Sequence, residues 1–379
     1  MARLPARCLL FACATLTGCT APAQPTPAPV APPPAAKTES APIRAAPTRP
    51  IQLWPFTRLH NTDYVSVRDL AEHFGLKPAW TKPNQAMTLN EPRGVRFTFE
   101  NSQRDFHFDG LRIFLGEPVL IHKDSLWVSK LDVIKIVAPL FRPADHVAFL
   151  PDTPPKLIVL DPGHGGTDPG TENKKLGVNE KTFTLDVAFR VKKILERAGY
   201  RVLVTRDKDV RFSNSPTIDL PLRADFANKF GADLFISIHF NNAPEAIAGV
   251  ETYAIPSQFM LSTAETKPDN LTATALPGNQ QDYANLLLGY EIHRAMLAGL
   301  KTPDRGYKRA RWAVLRPLNC PGVLVECAYL SNDAEARRVA TPEFRQQIAE
   351  ALAVGIQGYA AALAALRPAP PPAKPQTSP

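Results

Sequence analysis

The chain has 379 residues, 44% of them hydrophobic, with 39 prolines and a formal net charge of +8. Proline crowds into both ends, so roughly residues 50–366 form the foldable part, enough for two domains with real cores. The basic residues are spread along the chain with no Lys/Arg block and no aromatic interleaving. That pattern argues against nucleic acid as a partner and leaves an acidic wall polymer or an anionic membrane surface.

In chain order, Arg3 and Arg7 precede the apolar run LLFACATL (9–16), too short to span a bilayer. It ends in Leu16-Thr17-Gly18-Cys19, which resembles the bacterial lipobox. The resemblance implies that residues 1–19 are a lipoprotein signal peptide and that Cys19 is diacylated through its sulfur. The mature chain would then be held on a membrane, the outer favoured over the inner, and would face the periplasm. The bland alternative is an ordinary secretory signal with a chance cysteine. No later segment is expected to approach transmembrane length. Of five cysteines, only Cys320 and Cys327 remain in the foldable part. They flank an extended apolar run that holds them beyond disulfide reach, so both are expected free.

Residues 20–50 are Pro/Ala-rich and nearly free of large apolar side chains, an extended tether. The tail 366–379 has the same character. Residues 51–150 read as a small α+β domain: YVSVRDL (64–70), RFTFE (96–100) and RIFLG (112–116) alternate like strands, and Gly75 would stop a short helix. LWVSKLDVIKIVAPLF (126–141) gives a second strand-to-helix unit. This stretch is similar to the small module at the N-terminus of copper amine oxidases. It implies no copper, because His60, His73, His107 and His122 lack a ligand pattern. Spacer, wall-polymer contact and partner docking remain open roles.

From about residue 155 to 365 the rhythm changes to strand–helix alternation. LIVLD (157–161), RVLVTR (201–206), LFISIH (234–239), GVETYAI (249–255), WAVL (312–315) and GVLVE (322–326) read as strands. Helices are expected over about 187–198, 219–230, 281–299 and 342–364. The fold class is therefore α/β, a mostly parallel twisted sheet with helices on both faces, preceded by the small α+β domain. In such sheets functional groups gather at the carboxyl ends of the strands.

His164, His239 and Glu326 fall at such ends, and Glu180 opens a helix after a glycine-rich loop. Two histidines and a carboxylate can hold a zinc ion with one position open, and a further carboxylate there can serve as general base on water. Each residue has a plainer reading. His164 could be solvated, Glu180 could be a favourable charge at a helix N-terminus, and His239 could be a hydrogen-bonded core residue. Glu326 ends the most apolar strand, so it must be paired, protonated or at work.

Seven stretches in order complete the reading: DPGHGGTDPG (161–170), Glu180-Lys181, VLVTRD (202–207), LRADFANKFGADLFISIHFN (222–241), GVETY (249–253), DRGYKRARWAVLR (304–316) and PGVLVECAYLSN (321–332). The chain resembles the zinc-dependent N-acetylmuramoyl-L-alanine amidases of the bacterial wall. The resemblance implies Zn2+ on His164, Glu180 and His239, Glu326 as the catalytic glutamate, and cleavage of the amide between N-acetylmuramic acid and L-alanine in peptidoglycan. It also implies a monomer for which an activator is an open question. Many relatives have Thr-Gly-Phe where this chain has Cys327-Ala328-Tyr329, and Cys327 should point to the opposite strand face from Glu326. Pro256–Gln281 reads as a substrate-side loop. Arg206 and Arg223 are structural ion-pair residues first, and candidates for holding an acidic muropeptide second. The rivals are a zinc carboxypeptidase and a non-catalytic wall-binding lipoprotein.

Overall fold

The computed structural model describes residues 54–367 except Arg93; Cys19, the tether and the tail beyond Arg367 lie outside the described residues. Near the start, β1 (Thr57–Leu59) and β2 (Thr62–Ser66) form a hairpin whose two turn residues, His60 and Asn61, both have positive φ. That backbone matches the right-handed twist of the flanking strands. The Ser66 hydroxyl caps α1 (Val67–Phe74), and Gly75 at φ 69° ends it in the left-handed conformation that glycine tolerates.

A meander follows through β3 (Lys77–Lys82), β4 (Ala86–Glu91), β5 (Gly94–Glu100), β6 (Asp105–Phe108) and β7 (Leu111–Phe114). Then β8 (Leu120–His122) and β9 (Ser125–Ser129) join β1 and β2 in a four-stranded sheet, and helical turns run through α2 (Lys130–Asp132) to α3 (Ala138–Phe141).

The strand–helix part begins at β10 (Leu157–Pro162), followed by the short ladder of β11 (Glu172–Asn173) and β12 (Val178–Asn179). Next come α4 (Glu180–Arg197), β13 (Arg201–Val204), α5 (Pro216–Phe230), β14 (Leu234–Asn241) and β15 (Val250–Ala254). The chain ends its regular structure with α6 (Asp282–Leu300), β16 (Asp304–Arg309), β17 (Gly322–Tyr329), α7 (Asp333–Ala340) and α8 (Pro342–Leu366). One mixed sheet carries β13-β10-β14-β17-β15-β16 and continues directly into β7-β6-β5-β4-β3. The first four strands are parallel, and β15 runs antiparallel to β17. The join is made by Tyr307 opposite Ile113 and by the Arg112 amide donating to Asp304 Oδ2 at 2.9 Å.

Period-two alternation decides what each face of this sheet meets. Ile158, Leu160, Ile236, Ile238, Val323 and Val325 join the larger core with Val187 of α4, Ile292 of α6 and Ile356 of α8. Val159, Phe235 and Leu324 point the other way, into a smaller core with Ala224 and Ala227 of α5. Two steps further along the same strands, that second face changes from apolar to Asp161, Ser237 and Glu326. The site therefore grows out of the thinner side of the sheet.

Two expectations need correction. WAVL (312–315) is a turn, closed by the Leu315 and Arg316 amides on the Trp312 carbonyl. The strand lies upstream at Asp304–Arg309, which is polar enough to hide a ladder position from an apolar search. Helix α8 is also apolar and long enough to cross a membrane by length and composition. Its Phe344, Ile348, Leu352, Ile356, Tyr359 and Leu363 recur at helical spacing and are buried, as in a core helix.

Helix α6 crosses the sheet closely because Gly289 leaves room for the ring of Tyr307. A Cβ built there would stand 2.3 Å from Tyr307 Cζ, and Tyr307 is fully buried with its hydroxyl donating to the Asn285 carbonyl at 2.8 Å. Gly289→Ala should destabilise the fold by about 1–3 kcal/mol through overpacking. Urea denaturation followed by far-UV circular dichroism should show a lower midpoint at unchanged slope.

Candidate metal centre

Glu180 begins α4, where Asn179 caps the helix by accepting from the Thr182 amide. Its carboxylate is nearly fully buried, and four groups converge on it. Oε1 faces His239 Nδ1 at 2.9 Å and accepts from the Phe240 amide at 2.9 Å. Oε2 faces His164 Nε2 at 3.1 Å and accepts from the Thr171 amide at 2.8 Å. Burial alone would raise the Glu180 pKa, but the contacts with both imidazoles outweigh it and hold the carboxyl well below the usual range.

The two imidazoles stand nearly edge to face, with centroids 4.9 Å apart. Potential ligand atoms of His164, Glu180 and His239 all lie within 4.8 Å of one another. In a tetrahedral zinc site with bonds near 2 Å, ligand atoms stand about 3.4 Å apart, so modest closure fits these groups to a divalent ion. Asp168 Oδ2 lies 2.9 Å from His164 Nδ1, which leaves Nε2 for the centre. A carboxylate behind the imidazole is the usual orienting partner of a metal-bound histidine. Burial would lower the His164 pKa, but Glu180 and Asp168 together raise it.

The loop carrying His164 is held in a strained shape. His164 itself has φ 63°, a backbone region that costs a non-glycine residue free energy and persists when the surroundings enforce it. Arg223 donates to the His164 carbonyl at 2.9 Å, and Arg206 donates to the carbonyls of Pro162 and Gly163 at 2.9 and 3.0 Å. Arg223 also pairs with Asp161 at 2.9 Å and Asp219 at 2.8 Å. Both guanidinium groups are buried, so they brace the loop rather than present a charge to a substrate.

Glu326 sits opposite His239 in the β14–β17 ladder and opposite Glu251 in the β17–β15 ladder, one row of three polar residues across adjacent strands. Its Oε2 is buried with no hydrogen-bond partner among the described residues. Burial raises its pKa, the charges of Glu180 and Glu251 raise it further, and Lys308 offsets part of this. Glu251 is itself buried; Lys308, Tyr253 and Tyr329 outweigh its desolvation and hold it low, and Asn241 also donates to it. An orphaned carboxylate oxygen beside two further carboxylates is a setting that favours a cation. Cys320 and Cys327 are buried free thiols, and Cys327 packs into the larger core, on the strand face opposite Glu326.

Asp168, Asp219 and Glu251 were not singled out in the sequence. Asp168 was legible in principle, four residues after His164 within GGTDPG; Glu251 stands in GVETY, where nothing local distinguishes it from a surface glutamate.

A family model described as N-acetylmuramoyl-L-alanine amidase matches residues 158–358. The chain belongs to this family. The amidase AmiA of Escherichia coli K12 is 33% identical over 228 residues, covering 54% of this chain and 76% of AmiA. AmiC of Neisseria meningitidis is 32% identical over 54% of this chain and 52% of AmiC. An uncharacterized cell wall amidase of Bacillus anthracis is 33% identical over 54% of this chain and 35% of that protein. The chain thus spans about a third to a half of these last two relatives. A solved N-acetylmuramoyl-L-alanine amidase from Clostridium difficile 630 aligns with TM-score 0.44 and 27% identity over 55% of this chain and 97% of its own. Within this amidase-family chain, the match begins one residue into β10 and ends inside α8, so it covers every residue of the candidate metal centre.

Gly163 makes the centre possible, since a Cβ there would fall 2.2 Å from His239 Cε1. Gly163→Ala should displace the His239 ring and lower bound divalent metal at least about tenfold in affinity, the range seen when such supporting groups are lost. Elemental analysis alongside an unchanged far-UV spectrum would check this.

Proposed function

We propose that this chain is a zinc-dependent N-acetylmuramoyl-L-alanine amidase that hydrolyses the amide between the lactyl group of N-acetylmuramic acid and the L-alanine of the stem peptide. The observation that carries the reading is the meeting of His164, Glu180 and His239 within 4.8 Å, with Glu326 opposite His239 on the neighbouring strand. The family membership supports the bond class. Zinc, when bound, supplies Lewis acidity toward a carbonyl and makes water a stronger acid.

The chain's own residues divide the remaining work. His164, Glu180 and His239 hold the ion, and Asp168 fixes the tautomer and orientation of His164. Arg206 and Arg223 hold the His164 loop in its strained shape. Glu326 takes a proton from the attacking water and delivers it to the departing amine of L-alanine. Its partnerless Oε2 suits that task, because no internal hydrogen bond must break first. Cys19 is the proposed site of lipid attachment, which would keep the enzyme at the outer membrane, facing peptidoglycan. Cell-wall remodelling and daughter-cell separation are the corresponding roles.

Glu326→Gln should lower stem-peptide release from purified wall by about 10²–10⁴-fold while zinc content stays unchanged. Turnover close to wild type would remove Glu326 from the proton path. His164→Ala and His239→Ala should each reduce bound zinc, read by elemental analysis. Wall digested with and without a chelator, followed by fragment masses, identifies the bond. New L-alanine N-termini that vanish with the chelator are expected; shortened stems still attached to muramic acid would mark a carboxypeptidase instead.

A further inference from the structure

Away from the metal centre, a recess of about 570 Å³ lies where the first part of the chain meets the loop after β15. One wall comes from the β1–β2 hairpin, the 116–117 turn and the helical turns from Ser129 to Ile134; the other comes from Phe259, Met260 and Leu261. The two walls are fastened together. Arg104 donates to the carbonyls of Gly116 at 2.8 Å and Ser262 at 3.2 Å, and also to those of Thr263 and Glu265. Arg311 reaches the Ser262 hydroxyl at 3.0 Å and the Met260 carbonyl at 2.5 Å. Gly116 allows the close approach, since a Cβ there would stand 2.7 Å from Met260 Cγ. The recess is thus preformed, which lowers the ordering cost of binding.

Phe259 stands at its mouth, 63% exposed and at φ 67°. A bulky side chain in the left-handed region is a genuine outlier, and here it is held by the Phe259 amide donating to the Thr272 carbonyl at 2.7 Å. Strain spent on displaying an aromatic ring to solvent points to a ligand for that ring. The charges around it are of both signs and largely matched. Arg58 pairs with Asp63 at 2.6 Å, and the Lys130 ammonium lies 4.0 Å from the Phe56 ring centre. Arg58 and Lys130 stand with Asp63, Glu117 and Asp132 in the lining, so no positive excess remains to select an anionic lipid or a nucleic acid. What the recess offers is an aromatic face, the aliphatic Leu261 and Ile134, and the hydrogen-bonding side chains of Asn61, Asp63 and Glu117. That combination suits an uncharged, hydroxyl-rich ring with apolar C–H faces.

We infer that this recess is a second binding site for the glycan strand of the wall, with Phe259 stacking on a sugar ring and Asn61, Asp63 and Glu117 bonding its hydroxyl and acetamido groups. The inference rests on the amidase reading only in naming the polymer. Five residues lie between Phe259 and Tyr253, which donates to Glu251 beside Glu326, so at most about 20 Å of chain links the recess to the catalytic row. A strand held here would be presented to the centre repeatedly, raising its effective concentration.

The test uses the full chain and the variant Phe259→Gly, which suits the backbone at φ 67° and removes only the ring. Glu117→Ala is the second variant. Co-sedimentation with intact sacculi and anisotropy with peptide-free glycan chains should both show about tenfold weaker binding for each variant. Turnover of a soluble N-acetylmuramoyl-L-alanyl peptide, too short to reach the recess, should stay at the wild-type level. Undiminished glycan binding in both variants would overturn the inference, as would binding that requires stem peptides. Failure of the wild-type chain to cleave the soluble substrate would strike the amidase reading instead and leave the glycan measurement intact.

Discussion

The carboxylate of Glu180 is the constraint around which this molecule is arranged. A buried anion is costly unless nearly every lone pair is met, and Glu180 meets its requirement from four groups: two imidazoles and the amides of Thr171 and Phe240. Those donors belong to the loop after β10, the turn before β11 and the end of β14. Fixing one side chain therefore fixes the relative position of three chain segments. Any loosening of the first turn of α4 would be felt at both histidines.

A second buried carboxylate is held ionised in the same way. Asp161 accepts from Arg223, Thr205 and Ser237, and these contacts overcome its desolvation and keep it ionised. Arg223 then carries the charge across to Asp219 and to the His164 carbonyl. The strained backbone of His164 is thus supported from below by a charged network and from the side by Arg206. Pairing of this kind contributes little net stability compared with apolar packing, but it dictates one loop conformation, which is what a metal cage needs.

Much of this was legible in the residues. The apolar runs at 157–161, 234–239 and 322–326 gave three central strands, and glycine placement around His164 marked a turn able to carry a ligand. Helices α5, α6 and α8 fell within a few residues of expectation, because each fills a long interval outside the short apolar strand runs. Strand β16 was missed because DRGYKR offers only Tyr307 as a large apolar residue; its identity comes from pairing with β15 and β7, which is tertiary information. The same holds for Glu251 and Asp219. Their roles depend on Lys308 and Arg223, which approach from other elements, so no local pattern could announce them. The reach of α8 into membrane-like composition shows the converse: composition alone did not reveal that α4 and α6 would cover it.

The continuity of the eleven-stranded sheet has a cost of its own. Strand β16 is an inner strand only because β7 lies against its outer side. Proteolytic removal of the chain through Phe114 would leave that ladder open, with Tyr307 on it and no side chain at Gly306 to guard it. Naked edges of this type recruit any extended segment within reach, including the same edge on another molecule. Shed fragments of this kind would therefore clump rather than diffuse, so the leading module also acts as a seal on the sheet.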